Sequence, residues 1–540
     1  MREPDWARVQ QTETWRMLVA RAGAEAKRPG YGPTTELPER GARDVAIGNV
    51  CAPLARAVRQ RVLGAALLWR ATGERRWVEA AWTQIAVTLA WPEWRAQAHL
   101  DMPADLRTGH LGGTLGLAHT WLGDGLAAGR RNDLLAGLRE KAAEPYRRAV
   151  EEKIWYLDRP SNWTAVVVGG MGLCGASLGE RWMVDLARAK LPAVLASFGP
   201  DGEFNESPFY SNSVRELVWC LDGLGMPIAG LETFCRWLMH VTVPPGRVIA
   251  CGDGNPGHPP EAVVAARVAA ETQDAGLQRW FLDHRHLSHE RDLVAECLWW
   301  DPDLEPGPID EPLARAFPAH GGLIVSRTSW DPRQAFVVWG KGGHELHGHH
   351  DAGQVGIEDY IVDLGTVTYP AGYFGADRWK YCHASVHGHN VPTIDGAETE
   401  TGSARLVAAK LGPGKRRWQH DLTALYPGAR RVVRTVTHWL PARVEVVDEI
   451  AVGRPARLRV RWHTAVPVQP EAGEFWVKDL HCRVTGAGVR LSPGRHQHAP
   501  PMDHDWAGWA MPERHEPYVD AVVEAESARI VTVFERKEQR

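Results

Sequence analysis

Cysteine is scarce in this 540-residue chain: there are eight, scattered from Cys51 to Cys482, with no CxxC pair and no dense framework. That spacing excludes a zinc ribbon and a disulfide-stapled scaffold, and it predicts reduced thiols packed as small apolar residues. Net positive charge is lacking too. Lys and Arg total 62 against 66 Asp and Glu, a formal charge of -4, so no global field favours a nucleic acid or a membrane surface as partner. Long hydrophobic runs are also missing. The longest uncharged stretch, Pro160 to Gly179, opens on Ser161-Asn162 and is broken by Gly169, Gly170, Gly172 and Gly175, which leaves it short of the roughly 20 apolar residues of a span. The first residues, Met1 to Trp6, carry acids and a proline where a secretory leader needs a basic and then an apolar segment, so a cytoplasmic location is the expectation. Tyr and Phe are few, 10 of each, against 25 Trp. Indole faces stack on sugars, although most tryptophans serve ordinary packing.

What is present divides the chain in two. With 44% hydrophobic and 24% charged residues, the chain can bury a large core and is long enough for two domains. In Arg76 to Trp91 the apolar residues Val78, Ala81, Trp82, Ile85 and Leu89 recur at helical spacing. Similar stripes cover Arg61 to Trp69, His110 to Leu122, Asn162 to Leu178, Trp182 to Ser197, Ser213 to Leu224 and Ala262 to Ala270. Paired helices of this length predict an N-terminal (α/α) toroid over 1–305, whose cleft would take a long substrate. Five prolines between Asp301 and Pro318 mark the linker. Beyond it the period becomes two: Leu458, Val460 and Trp462 alternate with arginines, and Leu323 to Val325, Ala335 to Trp339, Val444 to Val447 and Ile530 to Phe534 are short β-rich runs. Without intervening helices, 306–540 reads as a C-terminal antiparallel β-sandwich.

The densest polar constellation is Gly342-Gly-His344-Glu345-Leu-His347-Gly-His349-His350-Asp351, followed by Asp363 and then by His387-Gly-His389-Asn390. On a strand His347 and His349 would share a face and address one centre. Asp363 and His389 add oxygen and nitrogen donors of the kind zinc prefers.

The run His347 to Gly353, then Asp363-Leu-Gly365, then His389-Asn390-Val391 ending in Asp395-Gly396, resembles the C-terminal signature of the heparinase II/III-like polysaccharide lyases. The helical half offers looser matches at Asp105-Leu-Arg107, His119 to Leu122, Ser161-Asn162-Trp163, Asp201-Gly202 with Glu206 and Tyr210, and Gly252-Asp253. The resemblance implies a toroid followed by a sandwich and an enzyme that cleaves uronate-containing oligosaccharide or polysaccharide. It also assigns roles. Tyr210 resembles the catalytic tyrosine, Asn162 the asparagine beside the substrate carboxylate and His347 the active-site histidine of the sandwich. Tyr373 stands where some members have a second tyrosine, with Tyr369 and Tyr381 as neighbouring alternatives. His349, Asp363 and His389 resemble the ligands of a structural zinc. Trp163, Glu206 and Arg215 complete the expected substrate contacts, and His347, the metal-bearing loop and arginines such as Arg215 or Arg378 would lower the pKa of Tyr210.

Many members carry a histidine directly after the asparagine, where this chain has Trp163. Without that base one tyrosine must both take the C5 proton and protonate O4, which requires both on one face of the ring, as in D-glucuronate or D-mannuronate. A glycoside hydrolase drawing paired carboxylates from Asp201, Glu203, Glu206 and Asp253 is the alternative enzyme class. A non-catalytic binder of uronate oligosaccharides is the third reading.

Overall fold

The computed structural model describes residues 4–35, 52–96, 99–254, 256–287, 291–366, 373–498 and 514–537; Met1 to Glu3, Cys51 and Tyr369 lie outside them. The described residues up to Trp299 are helical apart from turns, loops and a two-residue ribbon, Thr242–Val243 against Arg247–Val248. Each predicted stripe falls on a helix: Ala52–Thr72, Arg75–Leu89, Leu106–Leu122, the run from Asn162 that ends at Leu178, Arg181–Ala196, Ser213–Gly223 and Val263–Thr272. Leu106–Leu122 packs against both Ala52–Thr72 and the run ending at Leu178, and the helices bury Val78, Ala81 and Ile85 in one large core. Leu106–Leu122 is buried almost all round, and its glycines explain how. A Cβ on Gly109 or Gly116 would come within 3.0 Å of the backbone of the Asn162–Leu178 helical run, so those two helices cross at backbone contact. None of the helices among the described residues is long and apolar enough to cross a membrane. The seven described cysteines are free, and all but half-buried Cys382 are buried, as small apolar residues would be.

The chain passes from its last helix, Leu293–Trp299, through the proline-rich stretch into a four-stranded antiparallel sheet. Its order is β1 (Ala314–Phe317), β2 (Leu323–Arg327), β3 (Val337–Lys341) and β4 (Val355–Ile357). A nine-stranded antiparallel sheet follows, made of β5 (Pro392–Ile394), β6 (Arg405–Lys410), β7 (Lys415–Asp421), β8 (Arg431–Trp439), β9 (Arg443–His463), β10 (Glu474–Val477), β11 (Leu480–Thr485), β12 (Arg490–His498) and β13 (Arg514–Arg536). Its path runs β10-β11-β13-β9-β8-β7-β6, with β12 on β13 and β5 on β9.

Strands β2 to β4 of the small sheet are buried on both faces, and strand alternation divides the side chains of β2 and β3 between two cores. Leu323, Val325, Val337 and Trp339 join the helical core, whereas Ile324, Val338, Val355 and Ile357 join the core shared with Trp418, Val436 and Trp462 of the large sheet. At about 25 cal/mol per Å2 of apolar surface removed from water, such a layer stabilises both neighbours at once.

One β reading needed correction. Val444 to Val447 and Leu458 to Trp462 look like separate strands around Gly453-Arg454-Pro455, yet β9 runs through 21 residues. A register shift between Ala451 and Ala456 absorbs the interruption, with Gly453 at φ 73°, so the turn-like residues form a bulge within the strand.

Candidate active site

A cleft of about 1310 Å3 is lined by Trp155, Asn162 and Trp163 from the helical half and by His344, His347, Tyr373 and Arg378 from the sandwich half. Behind the lining residues His347, Tyr373 and Arg378 lies Asp253, fully buried. The preceding Gly252 has φ 60°, and a Cβ there would lie 2.9 Å from both Glu345 Oε1 and the His347 carbonyl oxygen. Only glycine lets this turn approach the histidine loop, where the Asp253 N–H donates to that same carbonyl at 3.0 Å.

The Asp253 carboxylate accepts from His347 Nδ1 at 2.9 Å, His349 Nε2 at 2.8 Å, the Tyr373 hydroxyl at 2.7 Å and Arg378 Nη2 at 2.9 Å. Burial would raise its pKa, but the bonds from His347 and His349 and the charge of Arg378 hold it well below the usual carboxylate range. His347 and His349 thus do address one centre, although from a loop in which His347 has φ 67° and not from a strand. That centre is a carboxylate.

Glu206 grips the same histidine from the other side. Its carboxylate accepts from the Asn162 backbone N–H at 2.7 Å, Asn162 Nδ2 at 2.6 Å and His347 Nε2 at 3.1 Å. Asn162 opens its helix, so its unpaired N–H and the positive end of the helix draw the carboxylate in. A bridge between Glu206 and Leu346 fixes the two loops side by side. Expected at the substrate, Glu206 is instead only 1% exposed and orders Asn162 and His347 from behind.

Held between Asp253 and Glu206, His347 keeps its proton. Burial pulls its pKa down, but the two carboxylates outweigh it and push it up to about 9. Both ring nitrogens are committed, so the ring acts here as a fixed positive charge and not as a base. Tyr210, in the turn Pro208–Asn212 before the Ser213–Gly223 helix, stacks on it with centroids 4.3 Å apart and planes at 11°. Tyr373 is different. It is 2% exposed, and burial together with Asp253 drives its pKa well above its ordinary value near 10.

Two expected contacts are otherwise engaged. Arg215 is buried in the helical half, bonded to Glu261 at 3.0 Å and Glu216 at 3.2 Å, and does not line the cleft. Trp163 lines it but packs: Tyr156 stacks on it at 5.8 Å and 20°, and the His99 ring, held by Asp105 at 3.1 Å, meets it edge-on at 5.0 Å.

Of the expected metal ligands, Asp363 and His389 lie together, with His389 Nδ1 3.1 Å from Asp363 Oδ2. The third member of the compact cluster is Asp351, the donor atoms of the three lying within 4.8 Å of one another. His349 is adjacent, its ring 5.2 Å from that of His389. His349 Nδ1, His389 Nε2 and Asp351 Oδ2 are all buried without a partner among the described residues. Orphaned donors on two imidazoles and a carboxylate fit a zinc ion, although Lys341 already contacts Asp351 and offsets part of its charge.

Helical toroid, antiparallel sandwich and a polar cluster at their seam together define a toroid-plus-sandwich protein. Residues 315–528 match the family model "Heparinase II/III-like, C-terminal". No curated protein matches the chain by sequence. Among solved structures, heparinase III is similar at 13% identity with a TM-score of 0.65, over 99% of this chain and 92% of that one. Heparan sulfate lyase HepC from Pedobacter heparinus is similar at 14% identity and 0.59, over 100% and 86%. The Streptomyces coelicolor A3 chondroitin AC lyase, solved with chondroitin sulphate, is similar at 12% and 0.55, over 99% and 82%.

Proposed function

We propose that the protein is a polysaccharide lyase that cleaves uronate-containing glycans by β-elimination, with Tyr210 moving the protons. The observation that carries this reading is the parallel stack of Tyr210 on His347, a histidine kept cationic between Asp253 and Glu206. A fixed positive charge against the ring favours the phenolate. That phenolate takes the C5 proton, the C5–H electrons pass into the enediolate of the adjacent carboxylate, the C4–O4 bond breaks as C4=C5 forms, and the tyrosine hydroxyl returns its proton to O4. Asn162, oriented by Glu206, faces the carboxylate and stabilises the charge that develops there.

The hydrolase alternative needs two uncommitted acids. Glu206 and Asp253 are both taken up by His347, Asp201 pairs with Arg315 at 2.6 Å, and Glu203 accepts the backbone N–H groups of Asp201 and Ala319 at 2.9 and 3.1 Å.

The test is a panel of uronate oligosaccharides read at the ultraviolet band of a 4,5-unsaturated uronate. Conjugated product supports the lyase, and new reducing ends without that band would refute it. Because Trp163 packs and His347 has no free nitrogen, Tyr210 serves as both base and acid. Substrates with D-glucuronate or D-mannuronate are then expected to give higher kcat/KM than matched C5 epimers. A preference for L-iduronate or L-guluronate would place another base on the opposite face.

A zinc ion would be held by Asp363 and His389 with Asp351 and His349, where it would supply positive charge that ties the sandwich loops together. Elemental analysis should find one zinc per chain, and Asp363→Ala or His389→Ala should weaken its retention by about 10- to 100-fold and lower the melting temperature. An active protein without metal and indifferent to chelators would rule the site out.

A further inference from the structure

We infer that the cleft holds a second sugar subsite, beside the reacting uronate, formed by the Trp155 ring and the Arg159 guanidinium and selective for a sugar bearing an anionic substituent. The inference rests on the glycan-lyase reading above. Both residues line the cleft and belong to one turn, closed by the Arg159 N–H donating to the Trp155 carbonyl at 3.1 Å. Asn162 follows three residues later, so the turn leads directly into the reacting site.

Trp155 is 45% exposed, a large apolar surface to leave in water on the wall of a polar cleft. Its ring is braced by Trp163 at 5.4 Å and 56° and by Tyr156 at 5.9 Å and 75°, so its orientation is set before any ligand arrives. Trp163 cannot offer the same platform, because Tyr156 already stacks on it. The stacking role that the sequence suggested for Trp163 therefore passes to its neighbour, and the C–H face of a pyranose is the surface that suits an indole.

Arg159 supplies the selectivity. It is exposed and has no side-chain partner among the described residues. The other arginine lining the cleft, Arg378, is committed to Asp253 and the Gly348 carbonyl, each at 2.9 Å, and His347 is held between two carboxylates. An uncommitted guanidinium next to an aromatic platform recognises carboxylate or sulfate through paired N–H donors. The charge has two sources: the carboxylate of a neighbouring uronate, or a sulfate on a neighbouring amino sugar.

Calorimetric titration in a Tyr210→Phe background, which leaves the ligand uncut, separates them. Three tetrasaccharides serve as probes: glucuronan, with a carboxylate on every ring; chondroitin sulfate, with sulfate on the amino sugar; and hyaluronan, whose amino sugar is neutral. One of the charged probes should bind most tightly, and which one identifies the source. Arg159→Ala should weaken that probe on the order of tenfold or more and change hyaluronan binding by no more than about twofold. Arg159→Lys should restore part of the loss, and Trp155→Ala should weaken all three probes several-fold. In the cleaving enzyme Arg159→Ala should raise KM and leave kcat in place. Equal binding of the three probes, an equal effect of Arg159→Ala on all of them, or a collapse of kcat overturns the subsite. If the wild-type protein still releases unsaturated product in those cases, the lyase reading survives; if it releases none from any uronate substrate, that reading has failed instead.

Discussion

Tyr210→Phe should lower kcat by at least about 100-fold while leaving oligosaccharide binding and the melting temperature close to wild type. The substitution keeps the ring, and with it the 4.3 Å stack on His347, and deletes only the hydroxyl. Tyr210 is half-buried in a short turn whose closing bonds are made by its backbone, so loss of the hydroxyl leaves the turn intact. If kcat/KM and kcat fall together, the missing interaction belonged to the transition state. Turnover near wild type in a folded Tyr210→Phe protein would assign the proton transfers to another residue.

The second large effect concerns Asp253. Asp253→Ala should cost roughly 3–5 kcal/mol of stability, the usual penalty for removing one partner from a buried ionic cluster, and should abolish activity. Four donors converge on that carboxylate from the sandwich half, and without it the buried Arg378 charge and the His347 imidazolium lose their counter-ion. Asp253→Asn tests charge apart from shape. It should recover part of the stability by keeping an acceptor and recover little of kcat, because His347 would no longer be held cationic against Tyr210. Urea melts and steady-state rates on the two variants are sufficient. An Asp253→Ala protein as stable as wild type would remove Asp253 from the centre of the site.

The helical half was legible because stripes such as Val78, Ala81 and Ile85 repeat at the helix period, and the burial of those residues follows directly. The sandwich was legible in kind but not in connection. A glycine and a proline inside β9 carry the signals of a turn, and only pairing with β13 across the bulge reveals one continuous strand. At the site, the residue types near the histidine block led to one compact polar cluster, in which Tyr210 stacks on His347 and Glu206 ties Asn162 to the same ring. The roles of the buried carboxylates were not legible, since Glu206 and Asp253 are 44 and 94 residues from the groups they order and nothing local separates an acid that touches substrate from one that holds a histidine. Asp351 was readable in principle, being part of the same His-rich run as His349. Arg215 misled because an arginine five residues after Tyr210 lies on the helix that follows, where side-chain direction is fixed by packing and not by proximity in sequence.

The small sheet has a consequence for how the cleft works. Because β2 and β3 contribute one set of side chains to the helical core and the alternate set to the large sheet's core, each core is completed by residues of the same two strands. The walls of the cleft are therefore built on strands shared by both cores, and under the proposed function a glycan would meet walls braced from two sides. Such bracing lowers the conformational entropy lost on association, so discrimination among glycans would fall to shape and charge along the groove.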